Sequence, residues 1–192
     1  LEKSTTSGLL SATAPAIVTF TSKALLRHYW NGLRSNSTTD MPVADRTAML
    51  KRITETIARI EATVAAGVGP VNAAQLESYR VFAIALTFRL QKVSDKKSQE
   101  LAAAALISAK RSGEVLTKAL AGEEKLVRAT GLRETLICNR LATGFLAIQS
   151  LPEYRRDSQL AFAAALDQQS QLPYNGRGVP ILGSQILAAV LS

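Results

Sequence analysis

Few residues of this 192-residue chain have the types and positions that catalysis requires. His28 is the only histidine, so a histidine base, a histidine metal site or a histidine-based triad would each have to use it. It lies next to Tyr29 and Trp30 with no second group placed for catalysis, which indicates an aromatic residue at a helix interface. Cys138 is the only cysteine. Its place in the middle of a helix predicts a small core residue, because a reactive thiol needs a lowered pKa, as at a helix N-terminus.

Paired carboxylates and metal-binding clusters are equally scarce. Glu123 and Glu124 are adjacent, and adjacent residues of a helix do not face each other. They fit the first turn of a helix, where the helix dipole favours negative charge. A single cysteine excludes an internal disulfide and a zinc site built from several cysteines. The sequence therefore predicts no enzyme, no cofactor and no metal site.

Phosphate-binding loops have only one weak candidate. In Asn175-Gly-Arg-Gly178, glycines could expose backbone N–H groups to a phosphate, and Arg177 could add a positive charge. The chain has no Gly-x-x-x-x-Gly-Lys loop, which argues against P-loop nucleotide hydrolysis. Gly67-Val-Gly69-Pro70 is not a dinucleotide loop, because no strand precedes it and a proline follows it.

The net charge of +8 favours acidic partners. The densest basic region offers a candidate site for an anionic partner, formed by Arg89, Lys92, Lys96, Lys97, Lys110 and Arg111. Such cations would neutralise the phosphates of a nucleic acid or of an anionic membrane surface and would give salt-dependent binding. The region lacks the aromatic residues that single-strand recognition usually adds. A solvated helix–loop–helix corner with no such partner is the other interpretation.

Arg133 follows Gly131 and Leu132. This short segment resembles the Gly-x-Leu-Arg motif of bacterial activators of Rho-type GTPases, in which an arginine finger acts on the nucleotide. It is one residue shorter than the motif, and the glycine-rich segment that follows in that family has no match. What the resemblance implies, a helical GTPase-regulating or secreted effector-type domain acting through Arg133, is therefore a second alternative only.

The composition predicts an all-α fold, a single helical bundle of about six helices plus a short C-terminal helix. Hydrophobic residues make up 47% of the chain and aromatic residues only 5%, so alanine and leucine supply most of the apolar content. Cap residues, turn residues and apolar periodicity place the helices at about 14–34, 42–66, 72–93, 94 or 98–121, 123–150 and 153–170, with a short helix at 184–191.

The third helix organises the bundle. Its middle, Val81 to Leu90, is apolar on nearly every side and must therefore be covered on nearly every side. Asn72 and Gln75 form a predicted capping box at its start. Arg80 and Arg89 bracket a run too short to span a bilayer, which needs about twenty apolar residues. Small residues along the fourth helix, with Leu101, are expected to let a neighbouring helix approach closely.

The two ends of the chain are the predicted contacts with other proteins. We expect one α-helical domain over 1–192, with an irregular segment at 1–13 and a turn-rich extension at 172–192. A chain with almost no catalytic groups and with apolar ends indicates a non-enzymatic structural or interaction subunit of a larger multiprotein assembly. A basic helical nucleic-acid-binding protein is the alternative. The N-terminal third is poor in acidic residues, which favours a mitochondrial or other organellar location, with a bacterial origin as the other expectation.

Overall fold

The computed structural model describes residues 3–35, 41–91, 95–150 and 155–172, most of which are helical and none of which forms a strand. Six helices succeed one another in these residues: α1 (Lys3–Ser35), α2 (Val43–Ala65), α3 (Pro70–Gln91), α4 (Lys96–Ala121), α5 (Leu126–Ser150) and α6 (Arg155–Ser170). The predicted all-α bundle of about six helices is confirmed. The predicted helix at 184–191 and the loop around Arg177 both lie outside the described residues.

Glycine and aspartate set several helix ends as expected. Gly67 follows α2 with φ 89°, a left-handed conformation that glycine adopts without a Cβ penalty. The Asp95 carboxylate accepts a 2.8 Å hydrogen bond from the backbone N–H of Ser98 and so caps α4. Gly122 is the C-cap of the same helix.

Two predicted helix starts are wrong. α3 begins at Pro70, so Asn72 lies inside its first turn and does not cap it. Proline fits the first helical position because its missing N–H would have no partner there and its φ is already helical. Glu123 and Glu124 precede α5, which begins at Leu126. The Glu123 carboxylate accepts a 3.1 Å hydrogen bond from the Lys125 N–H, which holds it in the turn.

The N-terminal segment corrects a third prediction. Residues 3–13 belong to α1, which runs through Pro15 instead of starting near it. Leucine and alanine on both sides of Pro15 favour the helix, and serine and threonine reduce helix propensity only modestly. Beyond the proline, the Thr19 hydroxyl donates a 2.8 Å hydrogen bond to the Pro15 carbonyl within the same helix.

α3 is covered on all sides, as its sequence predicts. α1, α2, α4 and α5 all pack against it, and every residue from 81 to 86 is buried. The Trp30 ring of α1 lies 5.1 Å from the Phe82 ring, centroid to centroid. Ile53 and Ile60 of α2 are completely buried against the same core. Residues of these four neighbouring helices therefore complete the core around α3.

Small residues allow α4 to pack closely on α3 and α5. The buried positions of this helix are Ala102, Ala105, Ala109, Ser112, Gly113 and Leu116. The predicted small-residue contact is confirmed, except that Leu101 is 49% exposed and Ala102 takes the inward position. The reason is that 102, 105, 109, 112 and 116 repeat at helical spacing, whereas 101 lies about 100° away from 102 around the helix.

A buried polar cluster joins α3, α4 and α5. The two N–H groups of the Asn139 side-chain amide are shared among three acceptors: the Ser78 hydroxyl at 3.0 Å, the Ser112 hydroxyl at 3.1 Å and the Ala109 carbonyl at 3.1 Å. The side-chain oxygen of Asn139, Oδ1, is buried without a hydrogen-bond partner. A cluster of this kind fixes the axial register of three helices, because sliding any of them would leave several buried polar groups unpaired.

α6 packs on α5 at Gly144, a residue that has no side chain. A methyl group at Gly144 would lie 2.6 Å from a ring carbon of Phe162, which is closer than van der Waals contact. Phe162 also meets Phe145 edge to face, with 5.6 Å between ring centroids. Gly144 thus lets a buried aromatic ring lie directly on the backbone of α5.

Candidate protein-docking groove

A groove runs along α5 between α4 and α6. In the described part of the chain, α4 and α6 both pack on α5, and no Cα atom of α4 lies within 8 Å of a Cα atom of α6. The space that they leave open measures about 540 Å³. We call this space the docking groove and define it by the three helix faces that line it.

Both walls of the docking groove are faces of single helices. The α4 wall consists of Ala103, Leu106, Ile107 and Lys110, at the spacing i, i+3, i+4, i+7. The α6 wall repeats that spacing with Asp157, Leu160, Ala161 and Ala164. Residues at this spacing lie on one side of a helix. Each wall is therefore the kind of stripe that normally packs against another helix.

The floor belongs to α5 and consists of Arg140, Thr143 and Ala147. Short side chains at positions 143 and 147 keep the groove open between its walls. Ile107 is 57% exposed and Leu160 is 60% exposed, one on each wall. The docking groove therefore leaves apolar surface in contact with solvent, which is characteristic of interaction sites.

The charged residues of the groove are Lys110, Arg140 and Asp157. A methyl group at Gly113 would lie 3.4 Å from a terminal nitrogen of Arg140, so the guanidinium reaches the α4 side. Burial lowers the pKa of Arg140, and the charge of Glu114 acts in the opposite direction. Lys110 has no ion-pair partner among the residues that the structure describes. The groove thus contains a cation whose charge is available to a partner.

The six cations predicted as one anionic-partner site are not one cluster. Lys96 and Lys97 are exposed at the start of α4, and Lys110 and Arg111 are exposed about 20 Å further along the same helix. Lys92 lies outside the described residues. The structure therefore places the four exposed cations in two pairs on α4. Whether either pair binds an anion stays a prediction.

Arg89, the sixth of these cations, lies against the aromatic core. Its guanidinium carbon lies 5.0 Å from the Trp30 ring centroid and 5.6 Å from that of Phe145. One terminal nitrogen donates a 3.1 Å hydrogen bond to the Leu33 carbonyl near the end of α1, and the other is buried without a partner. Burial lowers the pKa of Arg89. Its position between α3, the end of α1 and α5 is that of a structural cation–π contact.

An ion cluster links α1 to α5 away from the docking groove. Lys23 pairs with Glu134, and Arg27 lies 3.7 Å from the same carboxylate oxygen. Burial and the nearby charge of Arg27 lower the pKa of Lys23, while Cys138 acts to raise it. A lysine with a lowered pKa is a common feature of catalytic sites. Here its amine is held by a largely buried carboxylate, so its evident role is to tie α1 to α5.

Cys138 is a buried core residue, as predicted. Burial raises the pKa of its thiol to about 11, so it stays protonated near neutral pH. His28 is exposed instead of lying at a helix interface as predicted, and its ring centroid lies 5.8 Å from that of its chain neighbour Tyr29. Among the described residues, no three His, Cys, Asp or Glu side chains come together as metal ligands.

Arg133 is held by α6 and the turn that follows it. Its terminal nitrogen donates hydrogen bonds to the side-chain carbonyls of Gln168, at 3.4 Å, and of Gln171. An arginine finger must instead reach into the nucleotide site of a partner. The two glutamines would have to release Arg133 first, and GTPase regulation stays a prediction.

Sequence reasoning missed both the docking groove and the ion cluster. Each wall of the groove is an unremarkable half-apolar stripe on its own helix, and only the packing of α4 and α6 on α5 brings the two stripes together. Lys23 and Glu134 are 111 positions apart in the chain. The sequence contains one indication of the groove, the apolar residue Leu160 on a helix in which polar residues outnumber apolar ones.

Comparison with models of protein families, with curated protein sequences and with solved structures finds no match to this chain. None of the helices described here combines the length and apolar character of a membrane span.

Proposed function

We propose that this chain is a non-enzymatic interaction subunit of a multiprotein assembly and that it binds a protein partner in the docking groove. The observation that carries the proposal is the groove itself, with exposed Ile107 and Leu160 on facing walls. Covering these side chains removes apolar surface from water, which favours association by about 25 cal/mol per Å². Each wall is a helix face with residues at i, i+3, i+4 and i+7, and a helix of the partner can pack against two such faces.

α1 adds a second exposed apolar surface. Ile17 is 58% exposed and Phe20 is 71% exposed, and they lie three positions apart on one helix. This supports the expectation that the N-terminal part of the chain also contacts other subunits. The corresponding expectation for residues 173–192 concerns a segment outside the described residues.

Photocrosslinking in the source cells tests the proposal. A benzophenone amino acid replaces Ile107 or Leu160 in the full chain, and Val127, which is 84% exposed near the start of α5, is the matched control. We expect one protein to crosslink from positions 107 and 160 but not from 127. That protein, once purified, must bind the wild-type chain and lose affinity for Leu160→Asp. Equal crosslinking from all three positions, or none from 107 and 160, would refute the proposal.

Nucleic-acid binding remains the alternative, and the exposure of Lys96, Lys97, Lys110 and Arg111 on α4 favours it. A filter-binding titration at several salt concentrations tests it. Binding through these phosphate contacts would weaken steeply as salt rises, and replacing Lys96 and Lys97 with alanine would reduce the salt dependence. Absence of binding at low salt would exclude this alternative.

A further inference from the structure

The charge of the docking groove is uneven along its length. The Asn139 amide donates to the Ala109 carbonyl, which places Ala109 and Asn139 at the same level of α4 and α5. The next residues, Lys110 and Arg140, therefore lie at one end of the groove. Phe162 lies against Gly144, so Asp157, five positions before it on α6, lies towards the other end. The first end is basic, and the second carries the carboxylate.

The basic end is poorly neutralised by the protein itself. Glu114 is the acidic group that acts on Arg140, and it is exposed on α4. Lys110 has no ion-pair partner in the residues described. Between the two ends, the walls are apolar with Leu106, Ile107 and Leu160. A partner that complements this groove has an apolar stripe to cover the walls and negative charge at the end of the stripe that meets Lys110 and Arg140.

We infer that the partner presents an amphipathic helix whose apolar face fills the docking groove and whose acidic residues pair with Lys110 and Arg140. This inference rests on the proposed function and adds the chemistry of the partner. The groove follows eight residues of α4, or about 10 Å, so about two turns of the partner helix contact it. The predicted C-terminal helix of this chain is a poorer match, because residues 184–192 contain no Asp or Glu.

Two synthetic helical peptides of ~18 residues test this inference by fluorescence anisotropy against the full chain. Both carry leucines at i, i+3, i+4 and i+7. One has two glutamates beside the last leucine, and the other has two lysines there. We expect the glutamate peptide to bind about tenfold more tightly at low salt, because like charges at an interface repel strongly. Lys110→Glu should reverse that preference.

Variants of the chain separate the possible failures. Leu160→Asp should weaken both peptides by about tenfold or more, while Val127→Asp should leave both unchanged. If a partner crosslinks from 107 and 160 but the two peptides bind equally, the acidic-helix inference is wrong and the proposed function stands. If neither peptide binds and no partner crosslinks, both fail.

Two other occupants would also overturn the inference. Binding of the glutamate peptide only to Leu187→Asp, and not to the wild-type chain, would show that the chain's own C-terminal segment fills the groove. Concentration-dependent dimers in sedimentation, abolished by Leu160→Asp, would identify a second copy of this chain as the occupant.

Discussion

α3 and α5 both lie inside the bundle, but α3 is enclosed by four helices, whereas one side of α5 forms the floor of the docking groove. Both helices have a fully buried stretch, residues 81–86 in α3 and residues 134–139 in α5. α5 is packed by α3, α4 and α6, which leave the docking groove open along one side. The same kind of apolar helix face is thus used for stability around α3 and is available for binding beside α5. Substitutions in the two regions should therefore have opposite consequences for stability and binding.

The largest effect is expected for Phe82→Ala in α3. Phe82 is completely buried against Trp30, so its truncation should destabilise the chain by about 3–5 kcal/mol. Phe20→Ala is the matched control, since Phe20 is 71% exposed. Urea unfolding measures both. A loss below about 1 kcal/mol for Phe82→Ala would contradict an enclosed α3.

Gly144→Ala tests the contact between α5 and α6. The added methyl group would overlap the Phe162 ring, so we expect a loss of about 1–3 kcal/mol and looser packing of α6. Gly131→Ala on the same helix has open space and should stabilise by up to about 1 kcal/mol. Adding Phe162→Leu to Gly144→Ala should recover part of the loss. Equal effects at the two glycines would show that Phe162 does not lie on Gly144.

Unfolding at alkaline pH tests the burial of Cys138 in the core side of α5. Cys138 has a folded-state pKa of about 11, above its ordinary value of 9.0, because it is buried. Between these values the unfolded chain loses the thiol proton while the folded chain keeps it, so stability falls as pH rises, by about 1.4 kcal/mol per pH unit. Lys23 and Arg27 act to lower the pKa of the thiol, and they remain, as does Tyr79, in Cys138→Ala. Urea unfolding from pH 8 to 10.5 should therefore show a steeper loss for wild type than for Cys138→Ala.

The enclosed region could be predicted from the sequence, and the open one could not. The apolar run from 81 to 90 has no polar side, so it identifies a surrounded helix whichever way it is turned. Charge patterning predicts a basic surface at Arg89, because it does not reveal that the guanidinium lies against Trp30 and Phe145, which are 59 and 56 positions away in the chain. The docking groove depends on the positions at which α4 and α6 pack on α5. Contacts between distant residues set these positions, such as that of Gly144 with Phe162 and that of Asn139 with Ala109.

Leu160→Asp is expected to have the smallest effect on stability, and it is the substitution that is most informative about function. Leu160 is 60% exposed, so Leu160→Asp should change the free energy of unfolding by no more than about 0.5 kcal/mol. One pair of measurements on this variant, urea unfolding and binding of the crosslinked partner, tests the central claim directly. The account predicts near wild-type stability with at least about tenfold weaker binding. Wild-type affinity, or a large loss of stability, would show that this surface serves the fold and is not a partner site.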